Sequence, residues 1–296
     1  DIPMKRELNE SFEIRVSGTE DWYAMTVPGS AMDTLVKEGV LPDPYYGENE
    51  YEVREFFRND FDIRGHFTVS PEEFSSEHML LVFHGIDTVA DLYLNGHKLG
   101  HTENMHRRFS FSIKEWAKEG ENLLEIHLAS PLKFIEDYKP EKGREIHMCN
   151  TGTMPGNQYL RKPHCMFGWD WGPQLPDAGI FRKIELVTYE KARLLDTLIR
   201  QKHEEGQVTL TMTTEVEKDA DAKVTLTYEV LDPDGKLLSL GTDPVVKIEK
   251  PRLWWPHGNG EQLLYTVRVI MESEGEAAQE KLYRIGLRTV TVSRED

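Results

Sequence analysis

The feature that most constrains this chain is an apolar/polar alternation with period two, in short runs separated by turn residues. "HMLLVFHG" (78–85), "VADLYLNG" (89–96), "RRFSFSI" (107–113) and "NLLEIHLAS" (122–130) are rich in aliphatic and aromatic side chains. Several of them alternate as half-buried strands must. In "LYLNGHKLG", Asn95-Gly96 joins two such runs. Asn-Gly accepts the positive φ values of a type I′ turn, so a hairpin is expected there. Helical signals are short. "GSAMDTLVKEG" offers Ser30 as N-cap, Asp33 three residues on and Gly39 as a stop, which resembles a capping box. "SIKEWAKEG" reads as one to two helical turns ending at Gly120. The first part of the chain is therefore expected to be an antiparallel β-sandwich decorated with small helices.

A second series of alternating runs begins near residue 191, with "KARLLDTLIRQ", "GQVTLTMTTEV", "AKVTLTYEVLDPDG" and "QLLYTVRVIM". The turn Asp232-Pro-Asp-Gly235 closes one hairpin. About a hundred residues of short alternating strands point to an immunoglobulin-like sandwich. No Cys-Trp-Cys pattern accompanies it, so it is not of the antibody type. With the boundary between 189 and 193, the expected domains are 1–190 and 191–296. At 296 residues the chain is comfortable for two domains.

Between these series, residues 143–179 lose all periodicity: "GREIHMCNTGTMPGNQYLRKPHCMFGWDWGPQLPDAG". Loops this long inside a domain are functional or disordered. Disorder gives no reason to carry Tyr159, Phe167 and two tryptophans, so function is favoured. Trp169, Asp170 and Trp171 stand side by side between glycines and prolines. A carboxylate between two indoles is partly desolvated and needs a donor or a ligand hydroxyl. Arg161 and Lys162 are the cations in the loop able to pair with Asp170, a purely structural solution. Asp177 reads as a turn residue rather than the second carboxylate of a catalytic pair. "PRLWWPHGNGEQLLYT" (251–266) is the other conspicuous stretch. Its adjacent tryptophans are either a binding platform or, the better supported reading, a cluster packed between domains or capping a sandwich edge.

Composition narrows the function classes. The formal charge is −17, from 35 basic and 52 acidic residues. Nucleic-acid binding needs a basic stripe, and "HRRF" (106–109) is too short to supply one. Acidic membrane surfaces are disfavoured for the same reason, and no apolar run approaches the ~20 residues that span a bilayer. Two cysteines, Cys149 and Cys165, exclude a disulfide scaffold. With no apolar leader in "DIPMKRELNESFEI", they point to a cytoplasmic, reduced setting, although a trimmed signal peptide is compatible with the same sequence. His147, Cys149, His164 and Cys165 lack the spacing of common zinc sites, so no metal is expected. G-x-S-x-G, phosphate-binding glycine loops and H-E-x-x-H are absent. Glycoside hydrolysis stays open, because it rests on two carboxylates rather than a short motif.

Four stretches, taken together, resemble landmarks of the β-mannosidases of glycoside hydrolase family 2. They are "VPGSAMDTLVKEGVLPDPYYGENE", "FHGIDTVADLYLNGHKLGHTENMHRRFSFSI", "FGWDWGPQLPDAGIFRKIEL" and "PRLWWPHGNGEQLLYTV…YRIGLRTVTV". They follow the family's order and cover nearly the whole chain, and "GWDWGP" and "DPYYGENE" resemble the mannosidase branch more narrowly. The resemblance implies a jelly-roll, galactose-binding-like sandwich followed by an immunoglobulin-like sandwich. It also implies a (β/α)₈ barrel that follows and supplies both catalytic glutamates of a retaining mechanism, without a cofactor. Carried onto matching positions, it makes Asp170 a ligand of sugar hydroxyls, Trp169 a wall of the same mannose pocket and Arg161 an orienting residue beside the loop. A barrel takes about 250 residues, and none remain after "GLRTVTV". The expectation is therefore a front portion that binds part of a β-mannoside and is inactive alone. The stretch 235–254 is shorter than the resemblance implies, which leaves the strand count of the second domain open. A free-standing, lectin-like pair of carbohydrate-binding modules is the rival reading, and an interaction protein docking through the tryptophan loop is a third.

Overall fold

The alternating runs form strands wherever one face meets a core. In the computed structural model, which describes residues 5–9, 11–147 and 152–294, the chain divides into two units, Asp1–Thr188 and Tyr189–Asp296.

The first unit opens with β1 (Lys5–Glu7), β2 (Phe12–Val16), β3 (Tyr23–Met25), β4 (Gly29–Ser30), α1 (Ala31–Lys37) and α2 (Asn49–Phe56). It continues through β5 (Phe61–Val69), α3 (Pro71–Ser75), β6 (His78–Phe83), β7 (Val89–Leu94), β8 (His97–Glu103), β9 (Phe109–Ser112) and β10 (Gly120–Leu128). After α4 (Pro131–Asp137) and the long loop come β11 (Gly179–Ile180) and β12 (Ile184–Tyr189). Two sheets face each other, ordered β3-β2-β5-β10-β7-β8 and β1-β12-β6-β9, with β11-β4 as a small extra pair. β5 shows the physical logic: every second residue, from Phe61 through Ile63, Gly65, Phe67 and Val69, is buried. Phe61, Ile63, Phe67 and Val69 join Ile14, Phe57, Leu81, Phe83, Leu92 and Ile126 in one core. Period two places one row of side chains on each face of a sheet, so this row fixes the register.

The Asn95-Gly96 hairpin forms as expected between β7 and β8, with φ of 50° and 84°. Helix α1 is also as expected. Ser30 accepts the Asp33 amide at 3.2 Å, and Gly39 ends the helix at φ +73°. "SIKEWAKEG" does not become a helix. A single turn forms, in which Trp116 and Ala117 donate to the Ile113 carbonyl. Side-chain amides then capture the backbone: Asn122 bonds the Lys118 amide and the Lys118 and Gly120 carbonyls, and Asn95 bonds the Trp116 carbonyl. Such local capture competes with helix propagation. Helix α2 carries no apolar stripe; only Val53 is buried, and no side chain caps its start.

The second unit contains β13 (Ala192–Glu204), β14 (Gln207–Lys218), β15 (Val224–Leu231), β16 (Leu237–Gly241), β17 (Val245–Glu249), β18 (Tyr265–Ser273) and β19 (Gln279–Ile285). They form sheets β13-β14-β17 and β16-β15-β18-β19. Among the described residues this is a seven-strand, three-plus-four immunoglobulin-like sandwich, in which the fourth strand, β16, pairs with β15 and so lies in the sheet opposite to the one it takes in the constant type. Val208, Leu210, Val230, Val267, Val269 and Leu287 fill the space between the sheets. Trp254 and Trp255 cap this sandwich. Trp254 donates its amide to the Leu287 carbonyl and covers Gly286, and Arg288 stacks on Trp255 at 4.0 Å. Among the described residues, no helix is long and apolar enough to cross a membrane.

Candidate functional site

The tryptophan loop is irregular but not loose. Phe167 is fully buried in a small cluster with Val89, Ile135 and Leu160. Its carbonyl accepts the Met154 amide at 3.0 Å, and the Met166 carbonyl accepts the Leu175 amide at 3.0 Å. Trp169 and Gly172 exchange backbone hydrogen bonds at 3.4 Å, which folds the Trp-Asp-Trp tip into a closed turn. Gly168 has φ +108°, and a Cβ there would stand 2.5 Å from both the Gly152 carbonyl oxygen and the Gln174 Cγ. Only glycine accepts both that φ and that approach.

Two braces hold this loop to the sandwich. One is Gln174. Its amide donates to the Glu50 carboxylate at 2.8 Å, its side-chain carbonyl accepts from Arg54, and its Nε2 donates to the Gly152 carbonyl at 2.9 Å. Glu50 and Arg54 lie one turn apart on α2, which explains a helix with so little buried apolar surface. The other brace is Lys162. Its side chain is wholly buried, and its ammonium pairs with the buried Asp87 carboxylate and donates to the Asp177 carbonyl at 2.8 Å. Asp87 also accepts the Thr88 hydroxyl, and its backbone exchanges hydrogen bonds with Gly179 at 2.9 and 3.0 Å. Burial pushes the Lys162 ammonium below the ordinary lysine value, against the opposing pull of Asp87. Asp177 is neither a catalytic partner nor a mere turn residue. Its carboxylate accepts the Met32 amide at 3.0 Å and the Ala178 amide at 2.7 Å, so it caps α1 from across the chain. Burial raises its pKa despite these bonds.

On this frame the tip faces outward. Trp171 is 79% exposed and Trp169 37%, with ring centroids 5.9 Å apart at 40°. Asp170 is exposed, and among the described residues its carboxylate has no hydrogen-bond or ion-pair partner. Neither Arg161 nor Lys162 pairs with it among the described residues. Lys162 is committed to Asp87. Arg161 is exposed and tied down only by its backbone, whose carbonyl accepts the Met105 amide at 2.8 Å. Tyr45, Tyr46 and Tyr51, just before and within α2, are also exposed. Of the residues weighed and set aside as zinc ligands, Cys149 lies outside the described residues, and Cys165 is an exposed free thiol. Sequence reasoning passed over Glu50, Arg54, Gln174 and Asp87. Glu50, Asp87 and Gln174 stand inside stretches quoted as landmarks and Arg54 just beyond one, but as single polar residues they carry no local signal.

Residues 12–182 match the family model described as the glycosyl hydrolase 2 galactose-binding domain-like domain, and residues 192–288 match that of the glycosyl hydrolases family 2. The chain belongs to glycoside hydrolase family 2. It carries the family's galactose-binding-like and immunoglobulin-like N-terminal domains, and its curated relatives include β-mannosidases. That of Bos taurus is 28% identical over 291 residues, covering 91% of this chain and 33% of the relative. The β-mannosidase B of Emericella nidulans is 29% identical over 304 residues, covering 96% and 35%. The crystal structure of the β-D-mannosidase from Dictyoglomus thermophilum superposes with a TM-score of 0.86 at 31% identity, covering 97% of this chain and 36% of that one. The exo-chitosanase of Amycolatopsis orientalis, at 19% identity and TM-score 0.69, shares the fold. The chain spans about a third of the length of the relatives it matches.

Proposed function

We propose that this chain forms the sugar-binding-like and immunoglobulin-like portion of a retaining β-mannosidase, and that its Trp169–Asp170–Trp171 tip lends one wall to the subsite for the terminal mannose. The observation that carries this reading is an exposed carboxylate without a partner, flanked by two indoles and held on a braced loop. Asp170 accepts hydrogen bonds from sugar hydroxyls, and Trp169 offers its ring face to the apolar face of the pyranose. Arg161 orients the neighbouring backbone. The catalytic glutamates belong to the barrel that the resemblance places after this portion, so the 296-residue chain by itself gives no turnover. A cytoplasmic location is part of the same proposal.

The test is Asp170→Asn in a full-length protein carrying this sequence. Losing one charge-assisted hydrogen bond removes about 1.5–3 kcal/mol of binding, or roughly 10- to 150-fold in kcat/KM for an aryl β-mannoside. Folding should be untouched, since Asp170 has no partner among the described residues. A variant with unchanged kcat/KM would remove Asp170 from the site, and turnover by the 296-residue chain alone would refute the division of labour.

A further inference from the structure

We propose that the first unit holds a second carbohydrate-binding site, a concavity of about 400 Å³ on the outer side of α4. The polar groups around it come from Asp60, Lys133, Asp137 and Tyr138, and Phe134 supplies apolar lining. The volume falls in the usual range of small-ligand pockets, roughly 300–1,000 Å³. It shares Ala129 and Phe134 with the packing under Phe167, but its polar groups make no bond to the tryptophan tip among the described residues. Ile135 of the same helix packs inward against the Phe167 cluster, while these groups face the concavity.

The chemistry selects the ligand. Tyr138 is 43% exposed, yet its ring is fixed by stacking on Tyr159 at 4.9 Å and 24° and on Phe134 at 5.8 Å and 27°. A ring held by stacking rather than by burial is a preorganised platform, and its negative π-face attracts the C–H face of a pyranose. Asp60 is fixed by the Ser130 amide at 2.8 Å and lies 3.7 Å from the Lys133 ammonium. At that separation acceptor and donor stand side by side with capacity left over, an arrangement suited to neighbouring hydroxyls. The Tyr138 hydroxyl and the Asp137 carboxylate have no partner among the described residues. An anionic ligand is repelled by Asp60 and Asp137, while the Lys133 ammonium already offsets the Asp60 carboxylate. An aromatic platform beside a paired donor and acceptor suits a neutral polyhydroxylated ring, one unit of an uncharged glycan. This inference does not depend on the role of Asp170.

The experiment is isothermal titration of the 296-residue chain with β-1,4-mannohexaose, cellohexaose and xylohexaose. Saturable binding with Kd on the order of 1 mM or tighter is expected for at least one of them. Tyr138→Ala and Asp137→Asn should each weaken that binding at least tenfold, whereas removing the other site's indole with Trp169→Ala should leave it unchanged. Asp137 and Lys133 are exposed, so Asp137→Asn and Lys133→Met carry the test should Tyr138→Ala fail to fold. No saturation by any of the three glycans overturns the proposal. So does binding that vanishes with Trp169→Ala and survives the substitutions around α4.

Discussion

The Lys162–Asp87 pair makes the most direct prediction about what holds the candidate site in place. The two side chains are 0% and 5% exposed, and the ammonium has one other acceptor, the Asp177 carbonyl. Asp87→Asn leaves a buried ammonium with the Asp177 carbonyl and only the more weakly acting Asp177 carboxyl to balance it, and Lys162→Met leaves a buried carboxylate with the Thr88 hydroxyl as its remaining side-chain donor. Breaking a buried pair from either side costs about 3–5 kcal/mol, whereas removing both charges together is often nearly neutral. Each single variant should therefore destabilise the first unit by about that amount, and the double variant by only ~1–2 kcal/mol, a coupling well beyond the errors of a double-mutant cycle. The two units need not unfold together. Hydrogen exchange read by mass spectrometry across a urea series separates them, and peptides from Tyr189–Asp296 serve as an internal standard. Because Lys162 also ties down Asp177, protection should fall first in 163–178. Single variants costing less than about 1 kcal/mol, or a double variant equal to the sum of the singles, would refute the reasoning.

Three further outcomes follow from the geometry. Gln174→Ala removes two side-chain bonds from the loop and leaves the Arg54 guanidinium without its carbonyl; a loss of about 1–3 kcal/mol is expected, with faster acrylamide quenching of Trp169 and Trp171. Gly168→Ala demands a Cβ where the Gly152 carbonyl and Gln174 stand, at a left-handed φ; it should cost at least ~1–2 kcal/mol in urea unfolding, more than the same change at Gly96, where the space is open. Burial acts to lower the His101 pKa, but hydrogen bonds with Asp91 and Glu103 outweigh it and hold the pKa above the ordinary 6.5. The stabilisation is then complete below pH 6.5 and lost as pH rises through the folded-state value; NMR titration should show that elevated value, and Asp91→Asn should bring it down.

The strands were legible because alternation is a direct imprint of a sheet with one wet face, as in β5 and β18. The Asn95-Gly96 turn and the α1 cap were legible because each needs a particular residue type at a particular spacing. Helix α2 was not, since its stability comes from Glu50 and Arg54 gripping Gln174, 124 and 120 residues away. "SIKEWAKEG" misled because the competitors of its helix, the Asn95 and Asn122 amides, lie outside the window. The tryptophan tip was visible as an anomaly, but what surrounds it was not. Lys162 stood beside Asp170 in the local sequence, and its partner proved to be Asp87, in a different landmark.

That exchange of partners bears on how the loop works. Trp169 and Trp171 expose apolar surface that a free loop would bury by collapsing on itself, and Asp170 would then lie against whatever donor was nearest. The braces remove that option. Lys162 has its carboxylate, Arg54 has Gln174, and the Trp169–Gly172 turn is closed on its own backbone, so the nearby cations either are engaged or, like Arg161, do not pair with Asp170. A carboxylate kept open in this way needs no rearrangement to meet a hydroxyl, the condition under which a hydrogen bond contributes most to binding and to catalysis. The landmarks "DPYYGENE" and "GWDWGP", which sequence alone could only note together, are thus two halves of one device: α2 supplies the grip, and the loop supplies the group being held. Under the proposed function, substitutions at Glu50 or Gln174, although they touch no sugar, should lower kcat/KM for an aryl β-mannoside in a full-length protein carrying this sequence while leaving Asp170 chemically intact.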